Sequence, residues 1–149
     1  MRRVLLPLAA AAAAALAAGA LAPAVSASPS GRTLTAVLIG ANEVPGPADP
    51  DGSGVATVEI NPGQNELCYT ITVTDIDPAR AAHIHAAPAG VNGPVVVPLV
   101  PPTEGSSVAC TTSVDPALLK AIKKNPESYY VNVHNLVFPA GAIRGQLTK

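Results

Sequence analysis

The chain predicts an all-β fold: an antiparallel Greek-key β-sandwich or barrel with one short inserted helix. Three observations carry this. Eight short runs alternate apolar and polar residues, clusters of Pro, Gly, Asn and Asp separate them, and only one segment has a helical period. With 16 prolines and 12 glycines in 149 residues, turns are frequent and the strands between them short.

The runs follow in order. Thr33 to Ile39 alternates, and after the turn-rich Pro45-Gly46-Pro47-Ala48-Asp49-Pro50-Asp51-Gly52 comes Gly54 to Ile60. Leu67 to Thr74 has the cleanest pattern, with Leu67, Tyr69, Ile71 and Val73 on one face and Cys68, Thr70, Thr72 and Thr74 on the other. Arg80 to His85, Val95 to Leu99, Ser106 to Thr112, Ser128 to Asn135 and Ala142 to Thr148 complete the set. Pro98 and Pro101-Pro102 mark the Val95 run as an edge strand, since proline cannot donate to a ladder. The helix is Asp115 to Lys124, with Asp115 as cap, Pro116 at the first helical position, and Leu118, Leu119 and Ile122 as the apolar stripe. Lys120, Lys123 and Lys124 fall late in it, where the helix dipole favours cations, so no anionic partner is needed to explain them. Asn125-Pro126 ends it.

Residues 1–27 are expected to be a signal peptide. Arg2 and Arg3 precede an apolar, alanine-rich stretch from Val4 to Ala22, and Val25-Ser26-Ala27 places small residues at a cleavage site. Cleavage after Ala27 leaves Ser28 as the mature start, residues 28–32 as a polar lead-in and 33–149 as one domain. Pro7 and the small-residue site argue against an uncleaved anchor helix. The expected location is therefore secreted or extracytoplasmic, with no membrane span after cleavage. Formal net charge is −1 and becomes more negative once Arg2 and Arg3 leave. One phenylalanine and three tyrosines are the only aromatics, so nothing resembles a nucleic-acid footprint.

Cys68 and Cys110 are the only cysteines. In an exported chain the expectation is a disulfide, contributing up to ~4 kcal/mol by the chain-entropy model; two buried free thiols are the alternative. Because Cys68 stands on the threonine face, the bond should tie the outside of the domain.

All three histidines fall in two strand-like segments, Ala82-His83-Ile84-His85 and Tyr130-Val131-Asn132-Val133-His134. Residues two apart share a face, so His83 and His85 stand side by side, and a neighbouring strand could bring His134 to them. Three imidazoles suit zinc or copper and leave a coordination position open, with Glu43, Asp75 and Asp77 as candidates to orient the rings. The alternative is a hydrogen-bonded polar patch. A copper–zinc superoxide dismutase site needs six histidines and fails by count. Asp49 to Gly54 resembles the start of a calcium loop, but the twelfth position is Ile60, and a turn is the better expectation.

Four motifs occur in a telling order: Gly40-Ala41-Asn42-Glu43-Val44-Pro45, His83-Ile84-His85 with Gly90-Val91-Asn92-Gly93-Pro94-Val95-Val96, Tyr130-Val131-Asn132-Val133-His134, and Gly141-Ala142-Ile143-Arg144-Gly145-Gln146-Leu147. Together they resemble the CHRD domain, the module repeated in chordin and found alone in many exported microbial proteins, over about residues 33–148. The resemblance implies an immunoglobulin-like β-barrel and an interaction role, with no established enzymatic activity. The helix before the Tyr129 run departs from the family pattern. Glu43 and Arg144 lie in motifs at opposite ends of the chain, where a carboxylate–guanidinium pair could fix closure of the barrel. The expectation is thus a secreted binding module, monomeric or weakly oligomeric, not an enzyme, with an unknown extracellular or envelope protein or small ligand as partner. No cofactor is certain; the competing class is a small metalloprotein holding zinc or copper through His83, His85 and His134.

Overall fold

The computed structural model describes residues 31–149. The signal segment, its cleavage site after Ala27 and the start of the lead-in lie outside the described residues. The strands are β1 (Arg32–Ile39), β2 (Ser53–Asn61), β3 (Glu66–Thr74), β4 (Ala81–Ala86), β5 (Val95–Leu99), β6 (Ser106–Thr111), β7 (Tyr129–His134) and β8 (Ile143–Gln146), with helix α1 (Pro116–Lys124) between β6 and β7. Every expected run forms a strand and the expected helix forms too.

All eight strands belong to one antiparallel sheet, in the order β5-β4-β7-β8-β1-β2-β3-β6. The end strands approach each other, and Thr111 Oγ1 donates to the Pro98 carbonyl at 3.3 Å, so the sheet is a nearly closed barrel. Pro98 lies within β5 and has no N–H to give, which leaves this seam short of a full ladder. The β3–β4 and β6–β7 connections each step over two strands of the closed circuit, in the Greek-key manner.

Alternation fills the barrel. Leu34, Leu38, Val58, Ile60, Leu67, Ile71, Ile84, Val131, Val133, Ile143 and Leu147 point inward and are fully buried. Helix α1 turns Leu119 and Ile122 into the same core. Asp115 caps it, its Oδ1 accepting from Ala117 N at 2.8 Å, and Lys123 and Lys124 occupy the last turn. Asn125 closes it, but the chain then adds an unanticipated 3-10 turn, Pro126–Ser128, before β7. A second such turn, Gly40–Asn42, follows β1.

Cys68 and Cys110 are directly opposed in the β3–β6 ladder, Cα atoms 3.9 Å apart, and form a disulfide on the outer surface. It holds the edge strand β6 to β3. Asp49, the first residue of the calcium-like stretch, is buried, and its Oδ1 accepts from Gly52 N at 2.9 Å, as a turn requires.

Candidate functional site

The outer face of β4, β7 and β8 is built by the same alternation that fills the core. With Ala82 and Ile84 inward, His83 and His85 face out from β4; with Val131 and Val133 inward, Tyr130, Asn132 and His134 face out from β7. Arg144 and Gln146 do so from β8. Register then sets the neighbours: His85 lies opposite Tyr130, His83 and Arg144 opposite Asn132, and His134 diagonal to His83. A β-bulge beside His85, at the Ile84/His85 step of the β4–β5 pairing, adds local twist there.

The three histidines converge. His83 Nδ1 is 3.2 Å from His134 Nε2, and one nitrogen from each ring lies within 4.8 Å of the others. His85 stacks on Tyr130 with centroids 4.7 Å apart and planes 10° from parallel. On the other side of that ring sits the Arg144 guanidinium, its Cζ 3.3 Å from the centroid.

Three loops cover this wall. From the segment after β4, Gly93 O lies 2.9 Å from His85 Nδ1, while Gly93 N donates to Tyr130 Oη at 3.2 Å. Arg144 Nη2 donates to Pro88 O at 3.1 Å and Val91 O at 2.9 Å, pinning the same segment. After β7, Asn135 Oδ1 accepts from Phe138 N at 2.7 Å and shapes the turn that brings Pro139 O to 3.1 Å from His134 Nδ1. From the segment after β1, Glu43 accepts a short hydrogen bond from Asn132 Nδ2. Gly141 is required beside it: its φ is +152°, and a Cβ there would overlap the Glu43 carboxylate. Gln146 Nε2 donates to Ala87 O at 2.7 Å and Glu127 O at 2.8 Å, fastening one end of the wall.

A carbonyl can only accept, so His85 and His134 carry their protons on Nδ1. His134 Nε2 is then an acceptor, and His83 Nδ1–H donates to it. Burial holds all three imidazoles below their usual pKa; the charge of Arg144 adds to this at His85, and neighbouring rings add to it at His83 and His134. Burial likewise pushes Glu43 up to about 7, against the opposing charge of Arg144. His85 Nε2, Asn132 Oδ1 and Arg144 Nη1 are buried with no hydrogen-bond partner among the described residues.

Glu43 and Arg144, the expected carboxylate–guanidinium pair, each have their own hydrogen-bond partners and act on one another through space. The groups that orient His85 and His134 are the Gly93 and Pro139 carbonyls, where carboxylates were expected. Tyr130 and Asn132 were missed as site residues, although their alternation with Val131 and Val133 already placed them on the face of His134.

Frame and wall together define a single β-barrel module with one loop-covered polar face. A family model, the CHRD domain, matches residues 34–147, nearly the whole barrel, and the chain belongs to that family, a kind of domain that suggests a binding or interaction module. Comparison with curated proteins and with solved structures returned no match.

Proposed function

We propose that the protein is an exported CHRD-type binding module that acts outside the cytoplasm on a protein or small-molecule partner without catalytic turnover. The observation that carries this reading is the extent of the family match: the matched segment and the barrel are one unit. The surface disulfide supports an oxidising compartment, and the basic, apolar and small-residue order of the N-terminal segment supports export. Among the described residues no helix is long and apolar enough to cross a membrane.

Crosslinking of the exported, tag-free protein to the envelope and medium fractions of its source tests the reading. The expected result is mature protein beginning at or near Ser28 and a discrete adduct that saturates and is competed by excess unlabelled protein. Protein confined to the cytoplasm with Met1 retained, or no competable adduct, overturns it.

A further inference from the structure

We propose that His83, His85 and His134 form a binding site for one divalent ion of zinc or copper type, with His85 Nε2, His134 Nε2 and His83 Nδ1 as the ligand atoms. This site is independent of the interaction reading and survives its failure.

The first ground is the orientation of the rings. Histidines that ligate metals characteristically donate their other N–H to a carbonyl or carboxylate, which fixes the tautomer and leaves a lone pair for the ion. His85 and His134 each do so, to Gly93 O and Pro139 O. Both carbonyls are themselves held in place, Gly93 through Tyr130 Oη and the Pro139 turn through Asn135. A polar patch that only had to satisfy itself would not need two rings committed the same way.

The second ground is the nitrogen left over. His85 has used Nδ1, and its Nε2 is buried with no partner among the described residues. A buried imidazole nitrogen without a partner costs roughly 1–3 kcal/mol, and a cation would satisfy it.

The third ground is spacing. At a zinc–nitrogen distance of about 2.0–2.1 Å, two ligands of a tetrahedral ion stand about 3.3 Å apart. His83 Nδ1 and His134 Nε2 are 3.2 Å apart already. One nitrogen from each of the three rings lies within 4.8 Å of the others, so small ring rotations complete the triangle. His83 is half-buried.

The proton balance is simple. Before binding, the His83 Nδ1 proton bridges to His134 Nε2. On binding, that hydrogen bond is replaced by two nitrogen–metal bonds and the His83 proton moves to Nε2 through solvent, so no net proton is released when all three rings are neutral. Imidazole ligands favour zinc and copper over calcium or magnesium, which take oxygen. The fourth position is left to water or a small anion.

The test is isothermal calorimetry of tag-free protein with zinc sulfate and with copper sulfate, together with electron paramagnetic resonance of the copper-loaded wild type. Expected are one ion per chain, a copper signal carrying imidazole-nitrogen couplings, and a loss of at least the 10–100-fold that even indirect partners cost for each of His83→Ala, His85→Ala and His134→Ala. Glu59→Gln, on the opposite wall, should bind as wild type. His83→Gln, at the least buried of the three positions, guards against a folding defect and should bind as weakly as His83→Ala. No saturable binding in the wild type, affinity unchanged in the three alanine variants, or a copper signal without imidazole nitrogen overturns the site.

Discussion

Two walls of the barrel follow one alternation and end in opposite environments. On β1, β2 and β6 the outward positions include Val37, Val55 and Val108, and they stand in solvent, Val37 67% and Val108 71% exposed. On β4, β7 and β8 the outward positions are histidines, Tyr130, Asn132 and Arg144, and the last three are at most 2% exposed. Valines face water while a guanidinium is buried. Strand alternation decides which side chains point outward, but loops decide which of them lose water. The segments after β1, β4 and β7 convert one outer wall into a second, polar interior. There, desolvation shifts pKa values and unpaired atoms matter.

The contrast can be broken most severely at Arg144. Arg144→Met keeps the length of the side chain but removes two donors to carbonyls and the cation over Tyr130, and should cost about 3 kcal/mol or more. Urea unfolding measures it, and a cost below about 1 kcal/mol would mean that the covered wall is not held as described.

Next in size is the staple on the bare wall. Replacing Cys68 and Cys110 together with alanine should cost about 2–4 kcal/mol, for a sequence separation of 42. Hydrogen exchange should show β6 opening first, because β6 is an end strand whose backbone ladder is with β3. Uniform loosening of the whole barrel would contradict that.

The pH response sharpens the difference further. Histidines whose folded pKa is lowered bind fewer protons than the unfolded chain below about 6.5, so their contribution falls as the medium is acidified. Glu43, raised to about 7, has the opposite sign: its contribution is complete below the ordinary carboxylate value and is lost as pH rises through about 7. Glu43→Gln should therefore raise the melting temperature at pH 8, draw level with wild type in acid, and show a steeper acid loss in between. A variant less stable than wild type at pH 8 would reverse the sign assigned to Glu43. The smallest effect belongs to Val37→Thr and Val108→Thr, which should stay within about 0.5 kcal/mol of wild type by the same unfolding assay.

Much of this was legible before the structure. Leu67 to Thr74 declared its two faces, Pro98 declared an edge, and Asp115-Pro116 declared a helix start, because each depends on neighbours in sequence. The His83/His85 pair was legible for the same reason, and the face of Cys68 placed the disulfide outside. What escaped depends on register and on backbone. Nothing in the residues says that Arg144 lies opposite Asn132 and within reach of Tyr130, since that follows from the β7–β8 pairing. Nor can side-chain chemistry announce the Gly93 and Pro139 carbonyls, because every residue has one. The two 3-10 turns were missed because three residues carry no period.

The most direct measurement is long-range proton–nitrogen correlation of the histidine side chains near pH 7.5, before and after one equivalent of zinc sulfate. In the metal-free protein all three rings should be neutral with the proton on Nδ1. On addition, His85 and His134 should keep that tautomer while their Nε2 resonances shift, His83 should move its proton to Nε2, and Val37, Val55 and Val108 should not respond. Protons on Nε2 of His85 or His134 in the metal-free protein, or three ring spectra that ignore zinc, would contradict a polar wall organised around an ion.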